Sequence, residues 1–269
     1  MLAAVVQLCS QDDVPRNLAH VRTLVGEASR AGATLVTLPE NFAYFGPAEK
    51  KRTIAESLEG DLGPIMFALT DMAREFDVFI LGGGMPEASG HPERPFNTSV
   101  LINPEGVLQA RYRKRHLFDV ELPDGSSYKE STATMPGDLD VTITEVVGIK
   151  LGMSVCYDLR FPELYRQMGA LGAQAMTVPA AFTVHTGKDH WHALLRARAI
   201  ENQVYVLAPA QQGKHPGGLA TYGKSLIADP WGDVIAQVSD GEGFAVAQLD
   251  IAFEDRVRAA VPCLTHRRS

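Results

Sequence analysis

Short apolar runs alternate with amphipathic helical patterns along this chain, and that alternation restricts the fold more than any other feature of the sequence. Residues 18, 21 and 25, for example, are all aliphatic and share one face of a helix. Strands and helices that alternate in both halves predict an α/β fold whose helices cover the sheets. The helical patterns lie at residues 17–31, 64–76, 162–171 and 190–202. The strand-like runs lie at residues 2–9, 34–38, 78–82, 97–102, 107–112, 141–147, 150–155, 175–178, 203–208, 225–228, 234–238 and 243–249.

No linker or low-complexity stretch interrupts this pattern. A chain of 269 residues is long enough to bury a substantial core and falls within the size range of one large α/β domain. We therefore expect a single domain over residues 1–269.

Composition and charge argue against two classes of partner. No apolar stretch reaches the ~18 residues that indicate a membrane span, and residues 1–8 resemble a first strand more than a signal peptide. The formal charge is −7 and no basic stripe is present, which argues against nucleic acid as a partner. We expect neither membrane nor nucleic-acid binding.

The cysteine and histidine patterns indicate neither disulfides nor a metal site. Cys9, Cys156 and Cys263 are an odd, widely spaced set, so a reducing cytoplasm fits best. The histidines of residues 185–192 lack the helical spacing of zinc peptidases, and Asp189 is better interpreted as the N-cap of a helix. No metal and no cofactor are predicted.

Cys156 is the clearest candidate functional residue. It stands where the apolar run 150–155 ends and polar and turn residues begin. That position predicts a thiol delivered to a strand-to-loop turn, where ligands commonly bind. The alternative is a buried structural cysteine, the commoner role of a lone Cys.

Two charged residues are further candidates. Glu40 follows the apolar run 34–38, and Lys114 lies in the cationic cluster 112–118 that follows the hairpin-like segment 99–111. Open α/β sheets bind ligands at the carboxyl ends of their strands. Each residue alone would fit a solvated surface charge, but with Cys156 they form a coherent set of carboxylate, ammonium and thiol.

These segments resemble the nitrilase superfamily of carbon–nitrogen hydrolases, whose members carry a Glu–Lys–Cys triad. The resemblance covers essentially the whole chain and implies a four-layer α-β-β-α sandwich that pairs with a second subunit, as a homodimer or higher homo-oligomer. The matching segments are Leu-Pro-Glu-Asn at 38–41, Tyr-Arg-Lys-Arg-His at 112–116 and Val-Cys-Tyr-Asp-Leu-Arg-Phe-Pro-Glu at 155–163, with further matches at 129–131, 136–137, 196–202 and 229–232.

The chemistry of such a triad assigns a role to each group. Cys156 would attack an amide carbonyl and form a thioester, with Glu40 as general base and proton donor. For that role we expect burial to raise the pKa of Glu40. Lys114 and the backbone N–H of Tyr157 would hold the oxyanion, and the Lys114 charge would favour the thiolate. By resemblance, Glu130 is a second carboxylate that orients Lys114 or the surroundings of the nucleophile; the alternative is a surface charge.

Two competing patterns are weaker. A papain-like Cys–His pair could use His116, but nothing near Cys156 matches the papain-type signature. Residues 218–225 satisfy the phosphate-loop pattern letter for letter, yet that motif must open a helix. The residues that follow predict a strand, a turn and a second strand, so we interpret the match as accidental.

The resemblance also suggests a substrate class. Residues 112–120, 134–137 and 186–191 most resemble the branch that contains deaminated glutathione amidase, which yields 2-oxoglutarate and cysteinylglycine. The related ω-amidase releases ammonia from 2-oxoglutaramate. Both substrates carry an anionic keto-acid end, for which Arg160 is the candidate contact; the alternative is an ion pair of Arg160 with Glu163 or Asp158.

Other small-molecule substrates stay open. The loop 211–219 departs from the pattern expected of the vertebrate amidases. A different aliphatic amidase, a nitrilase or an acyl-transferring relative would use the same triad. A non-catalytic relative that binds carboxylates is the alternative from another functional class, and the intact triad argues against it.

Overall fold

The computed structural model describes residues 1–122 and 125–268, and two large mixed sheets dominate it. The α-helices are α1 (Val14–Arg30), α2 (Pro64–Phe76), α3 (Pro162–Ala170), α4 (Val184–Asn202) and α5 (Ile251–Ala260). Short 3₁₀ helices span Ala48–Ile54, Glu130–Thr132 and Cys156–Arg160. The strands are β1 (Leu2–Leu8), β2 (Leu35–Thr37), β3 (Phe79–Glu87), β4 (Phe96–Ile102), β5 (Leu108–Arg113), β6 (Asp119–Glu121), β7 (Ser127–Lys129), β8 (Ile143–Val146), β9 (Ile149–Met153), β10 (Ala175–Thr177), β11 (Tyr205–Ala208), β12 (Ala210–Lys214), β13 (Ala220–Tyr222), β14 (Leu226–Ala228), β15 (Val234–Gln237) and β16 (Gly243–Gln248).

The two sheets share a plan in which parallel strands are joined by helices. The first sheet has the order β13-β12-β1-β2-β3-β4-β5, with β16 paired to β1, and the second has the order β15-β14-β11-β10-β9-β8. In the first, β1, β2 and β3 are parallel and are connected through α1 and α2. In the second, β9, β10 and β11 are parallel and are connected through α3 and α4. The carboxyl ends of two parallel strand sets are thereby available to form a site.

Alternate side chains of β1 face different layers, as a strand requires. Val5 belongs to a buried cluster that contains Leu151 of β9 and Trp191 of α4. Val6 belongs to a second cluster that contains Leu69 of α2. The sheets therefore pack face to face, with α1 and α2 outside one and α3 and α4 outside the other. The predicted α/β class and four-layer sandwich are confirmed.

Several element boundaries differ from the sequence expectation. Helix α4 begins at Val184, not at residue 190, because the Thr183 side chain caps it by accepting from Thr186 N. Asp189 lies inside this helix, so its prediction as N-cap was wrong. Strands β6, β7, β12 and β13 and helix α5 were not predicted. Among the described residues, no helix is long and apolar enough to cross a membrane.

The segment that matches the phosphate-loop pattern, residues 218–225, contains strand β13 and its connection to β14. Residues 218–225 lead into β14, which a turn joins to the antiparallel β15. No helix follows the glycines, so the N-terminal helix turn that cradles phosphate in true phosphate loops is missing at this position. The prediction of strand, turn and strand is confirmed.

Candidate active site

Three chain segments bring Glu40, Lys114 and Cys156 together. Glu40 follows β2, Lys114 follows β5, and Cys156 opens the 3₁₀ helix after β9. The Cys156 backbone is left-handed, with φ of 51°, which is uncommon for a residue other than glycine. Its N–H donates to Pro179 O at 2.8 Å, which ties this turn to the end of β10.

Close packing at Gly83 allows the two sheets to meet beside these residues. Gly83 lies in β3, where an added Cβ would stand 2.0 Å from Leu38 O and 2.3 Å from the Pro179 side chain. Leu38 leads into the Glu40 segment, and Pro179 accepts the Cys156 amide. Any side chain at position 83 would push the two segments apart. The run Gly82-Gly83-Gly84 lies inside β3, so it opens no helix that could bind a nucleotide, and Gly83 serves this packing.

A buried ion cluster links the charged groups. The Lys114 ammonium donates to Glu40 Oε1 at 2.9 Å and to Glu130 Oε1 and Oε2 at 3.0 and 2.7 Å. Lys114 and Glu40 are 2% and 4% exposed, so this charge is held by carboxylates and not by water. Glu130 accepts hydrogen bonds directly from Lys114, as a carboxylate that orients Lys114 must. It is therefore not a free surface charge.

Asn97 completes this cluster, and sequence reasoning missed it. Its side-chain amide donates to Glu40 Oε1 at 2.8 Å and approaches Glu130 Oε1 at 3.5 Å. Glu130 also accepts the backbone N–H of Phe118 at 2.7 Å. The carboxylate oxygens are therefore oriented by neutral donors as well as by Lys114.

The Glu40 carboxyl is more acidic than expected. Burial raises its pKa, but the charge of Lys114, hydrogen bonds from Cys156 and Lys114 and the charge of Lys51 together bring the pKa below its usual value. The expectation of a raised pKa was wrong because the sequence does not show how many donors surround the carboxylate. Glu40 is therefore an ionised carboxylate at neutral pH.

The Cys156 thiol is protonated in the resting site. Burial raises its pKa well above the usual value, the negative charge of Glu40 raises it further, and Lys114 opposes both without offsetting them. Lys114 does favour the thiolate, as expected, but burial and the charge of Glu40 outweigh its effect. The charges of Glu130 and Glu40 in turn raise the pKa of Lys114 against the effect of burial, so the ammonium persists.

His116 is engaged elsewhere and does not pair with the thiol. Its ring Nδ1 lies 2.7 Å from Asp158 Oδ1 and its ring stacks on Phe161. The thiol instead hydrogen-bonds Glu40. This arrangement disfavours the papain-like alternative.

A cavity of about 400 Å³ opens over the cluster. Its walls include Tyr157 and Arg160, which the sequence analysis singled out, and Lys51, which it did not. The Tyr157 N–H lies in the first turn of the 3₁₀ helix, where backbone donors have no helical acceptor. Nothing in the sequence separates Lys51 from its neighbour Lys50, so no signal could have identified it.

Arg160 contacts the wall formed by α4 and the segment before it. Its Nη1 lies 3.3 Å from His190 Nδ1, and its guanidinium stands 5.4 Å from the Phe182 ring centroid. Among residues 1–122 and 125–268, no ion pair joins Arg160 to Glu163 or Asp158, and Asp158 pairs with His116 instead. Within the same residues, His190 belongs to no group of side chains that could hold a metal ion. The guanidinium therefore lines the cavity without a carboxylate partner from the described chain.

Comparisons with known proteins agree with this architecture. Residues 2–259 match the family described as Carbon-nitrogen hydrolase. A deaminated glutathione amidase from Synechocystis is 44% identical, covering 99% of this chain and 97% of the relative. The Homo sapiens deaminated glutathione amidase is 42% identical, covering 99% and 82%. The crystal structure of the C. elegans NitFhit protein superposes with a TM-score of 0.92 at 36% identity. The superposition includes 99% of this chain and 65% of that longer protein. By sequence and by fold, this chain belongs to the carbon–nitrogen hydrolase family.

Proposed function

We propose that this carbon–nitrogen hydrolase is a Cys156-dependent amidase that cleaves deaminated glutathione into 2-oxoglutarate and cysteinylglycine. The observation that carries the proposal is the hydrogen bond between the Cys156 thiol and Glu40, whose Oε1 also accepts from the Lys114 ammonium at 2.9 Å. The relatives named deaminated glutathione amidase support the choice of substrate, since they match nearly the whole chain.

Acylation begins with the proton on sulfur. Because the pKa of Cys156 is raised and that of Glu40 is lowered, a free thiolate is disfavoured, and the proton moves to Glu40 as sulfur attacks the amide carbonyl. Charge then passes directly to the carbonyl oxygen. Lys114 and the Tyr157 N–H stabilise that oxyanion, a contribution typically worth ~10²–10³ in turnover per donor.

The tetrahedral intermediate collapses when Glu40 returns the proton to the leaving nitrogen. The C–N bond breaks, the amine departs, and the acyl group stays on sulfur as a thioester. Water then attacks the thioester while Glu40 accepts one of its protons. The S–C bond breaks, the proton returns to sulfur, and the carboxylic acid is released.

Glu130 and Asn97 act on the catalytic groups through hydrogen bonds. Glu130 holds the Lys114 ammonium through both carboxylate oxygens, which keeps it charged and aimed at the cavity. Asn97 fixes the same Glu40 oxygen that Lys114 contacts. Arg160, which has no carboxylate partner within the described part of the chain, supplies the cationic contact for the keto-acid end of the substrate.

Assembly and location belong to the same proposal. We propose a homodimer or a higher homo-oligomer, which the resemblance to the nitrilase superfamily supports and sedimentation would measure. A cytoplasmic location is consistent with three free cysteines, including the buried Cys156, because a thiol nucleophile must stay reduced.

Product formation from two substrates tests the function. Purified enzyme is incubated with deaminated glutathione or with 2-oxoglutaramate, with Cys156→Ala as the blank. A higher kcat/KM for cysteinylglycine release than for ammonia release would support the proposal. The reverse preference would make the protein an ω-amidase, and no reaction with either substrate would overturn both assignments.

A further inference from the structure

Lys51 places a second ammonium at the cavity, and the chemistry described above does not use it. It lies in the 3₁₀ helix Ala48–Ile54 and lines the cavity with Glu40, Lys114 and Cys156. Its Nζ donates to Asn41 Oδ1 at 3.1 Å, and Asn41 directly follows Glu40. Lys51 therefore lies on the Glu40 side of the cavity.

The Lys51 ammonium has fewer hydrogen-bond acceptors around it than a partly buried cation at a cavity needs. An ammonium has three donors, and one neutral amide oxygen accepts from this one. Within the described ranges 1–122 and 125–268, no carboxylate lies within ion-pair distance of Lys51, whereas Lys114 contacts two. Burial lowers the pKa of Lys51, and the more distant charges of Glu130 and Glu40 oppose that effect. An anion bound at its Nζ would supply the missing compensation.

The position of Lys51 indicates which end of a substrate could supply that anion. In the proposed reaction Glu40 gives its proton to the leaving nitrogen, so the leaving amine lies on the Glu40 side. Arg160 contacts a different wall, formed by His190 and Phe182. Lys51 and Arg160, which have no carboxylate partner among residues 1–122 and 125–268, therefore face different ends of a bound amide.

We propose that Lys51 binds a carboxylate carried by the leaving amine, so that the site prefers amides with a carboxylate on each side of the scissile bond. This inference rests on the proposed amidase function. Cysteinylglycine ends in such a carboxylate, and ammonia has none. A dipeptide spans at most about 7 Å when extended, and a cavity of about 400 Å³ lies within the size range of small-molecule sites.

Among the described residues that line the cavity, Lys129 is the remaining cation, and it is more exposed to solvent than Lys51. Lys129 is exposed to solvent at the end of β7, where water screens its charge. Lys51 is partly buried and held by Asn41. A charge-assisted hydrogen bond to a substrate is therefore stronger at Lys51.

A purely electrostatic role for Lys51 makes a different prediction. Its charge lowers the pKa of Glu40, so its loss could slow every substrate through the general base. That effect would change kcat for all amides and shift the acid limb of the pH profile. A carboxylate contact would change KM, and only for substrates that carry the carboxylate.

The test compares deaminated glutathione with its C-terminal carboxamide, which differ only in the carboxylate of the leaving dipeptide. For wild type we expect a KM about tenfold higher for the carboxamide, the effect of one charge-assisted hydrogen bond. Lys51→Met should raise KM for the acid about tenfold with kcat within about twofold, which removes the preference. Lys51→Arg should restore part of it. Lys50→Met is the matched control, because Lys50 is exposed and lies 3.9 Å from Asp12.

The possible outcomes separate the inference from the function on which it rests. Wild type that cleaves deaminated glutathione but does not distinguish the carboxamide would overturn the Lys51 site and leave the amidase proposal standing. The Lys51 site would also be overturned if Lys51→Met lowered kcat equally for both substrates or shifted the acid limb of the kcat pH profile. Wild type that cleaves neither substrate would overturn the amidase proposal itself. If Lys51→Met folds poorly, the wild-type preference still tests whether the leaving-amine carboxylate is bound, and Lys51→Arg tests whether Lys51 binds it.

Discussion

His116 places its backbone N and its ring Nδ1 3.0 and 2.7 Å from the same oxygen of Asp158. His116 lies two residues after Lys114, and Asp158 lies two residues after Cys156. This pair therefore joins the segment that carries the proposed oxyanion cation to the turn that carries the proposed nucleophile. The link between the two segments is a fully buried carboxylate.

We expect Asp158→Ala to damage both stability and catalysis. The second Asp158 oxygen accepts from the Tyr112 hydroxyl at 2.9 Å and from Val155 N at 2.8 Å, so the substitution leaves several buried donors without a partner. The free energy of unfolding should fall by about 3 kcal/mol, and kcat should fall at least tenfold because Cys156 and Lys114 lose their common anchor. Urea unfolding and steady-state kinetics measure the two effects.

The control for this substitution is Asp189→Ala on the exposed face of α4. It should leave both quantities near wild type. If Asp158→Ala changed the unfolding free energy by less than about 0.5 kcal/mol, the range of ordinary surface substitutions, the anchoring role would be refuted.

Cys156→Ala should remove turnover while leaving the fold intact. The thiol hydrogen-bonds the Glu40 side chain and the backbone of Ala181, and alanine keeps the backbone restrictions of a residue at φ of 51°. We expect kcat to fall roughly 10⁴-fold or more and the melting temperature to change by a few degrees at most. Cys9→Ala and Cys263→Ala serve as controls. Activity near wild type in Cys156→Ala would end the thioester mechanism.

Lys114→Met should be destabilising as well as inactive. Removing the ammonium leaves the Glu40 and Glu130 carboxylates close together without their shared counter-charge. Breaking a buried ion pair in this way costs about 3–5 kcal/mol, and the pKa of Glu40 should rise. Urea unfolding should therefore show a smaller deficit at pH 5 than at pH 7, with Lys50→Met as control. A variant that kept kcat and lost only substrate affinity would make Lys114 a binding residue.

The sequence predicted the parts of the site that follow from strand order. Glu40 and Cys156 were proposed because each follows an apolar run and ligands bind at the carboxyl ends of strands, although β2 and β9 lie in different sheets. Lys114 was proposed from the cationic cluster that follows the hairpin-like segment 99–111. The face-to-face packing of the sheets, by contrast, came from resemblance, because periodicity does not show which buried faces meet.

Other features depended on contacts that are distant in sequence. Asn97 lies 57 residues from the carboxylate that it contacts, and no local pattern marks it. Lys51 and Lys50 are adjacent and chemically identical, yet one lines the cavity and the other is exposed. The direction of the Glu40 pKa shift required the balance between burial and four donors or charges, which exists only in the folded protein.

The pH dependence of activity and stability tests the pKa shifts of Glu40 and Cys156. The usual pKa values are 4.5 for Glu and 9.0 for Cys. Because the folded pKa of Glu40 is lowered, the stability that its ionised form contributes is present above pH 4.5 and is lost as the pH falls through the lowered value. Because the folded pKa of Cys156 is raised, the contribution of its neutral thiol is present below pH 9.0 and is lost as the pH rises through the raised value.

The reactive state, with Glu40 ionised and the Cys156 thiol protonated, should therefore persist across the interval between these two values. We expect kcat/KM for deaminated glutathione to stay level from about pH 5 to about pH 8.5, because kcat/KM reports the ionisations of the free enzyme. Initial rates in a constant-ionic-strength buffer series, with the melting temperature recorded at each pH, provide the measurement. An acid limb between pH 6 and 7 with no loss of folded protein would show that burial dominates at Glu40 and that its neighbours do not keep it ionised.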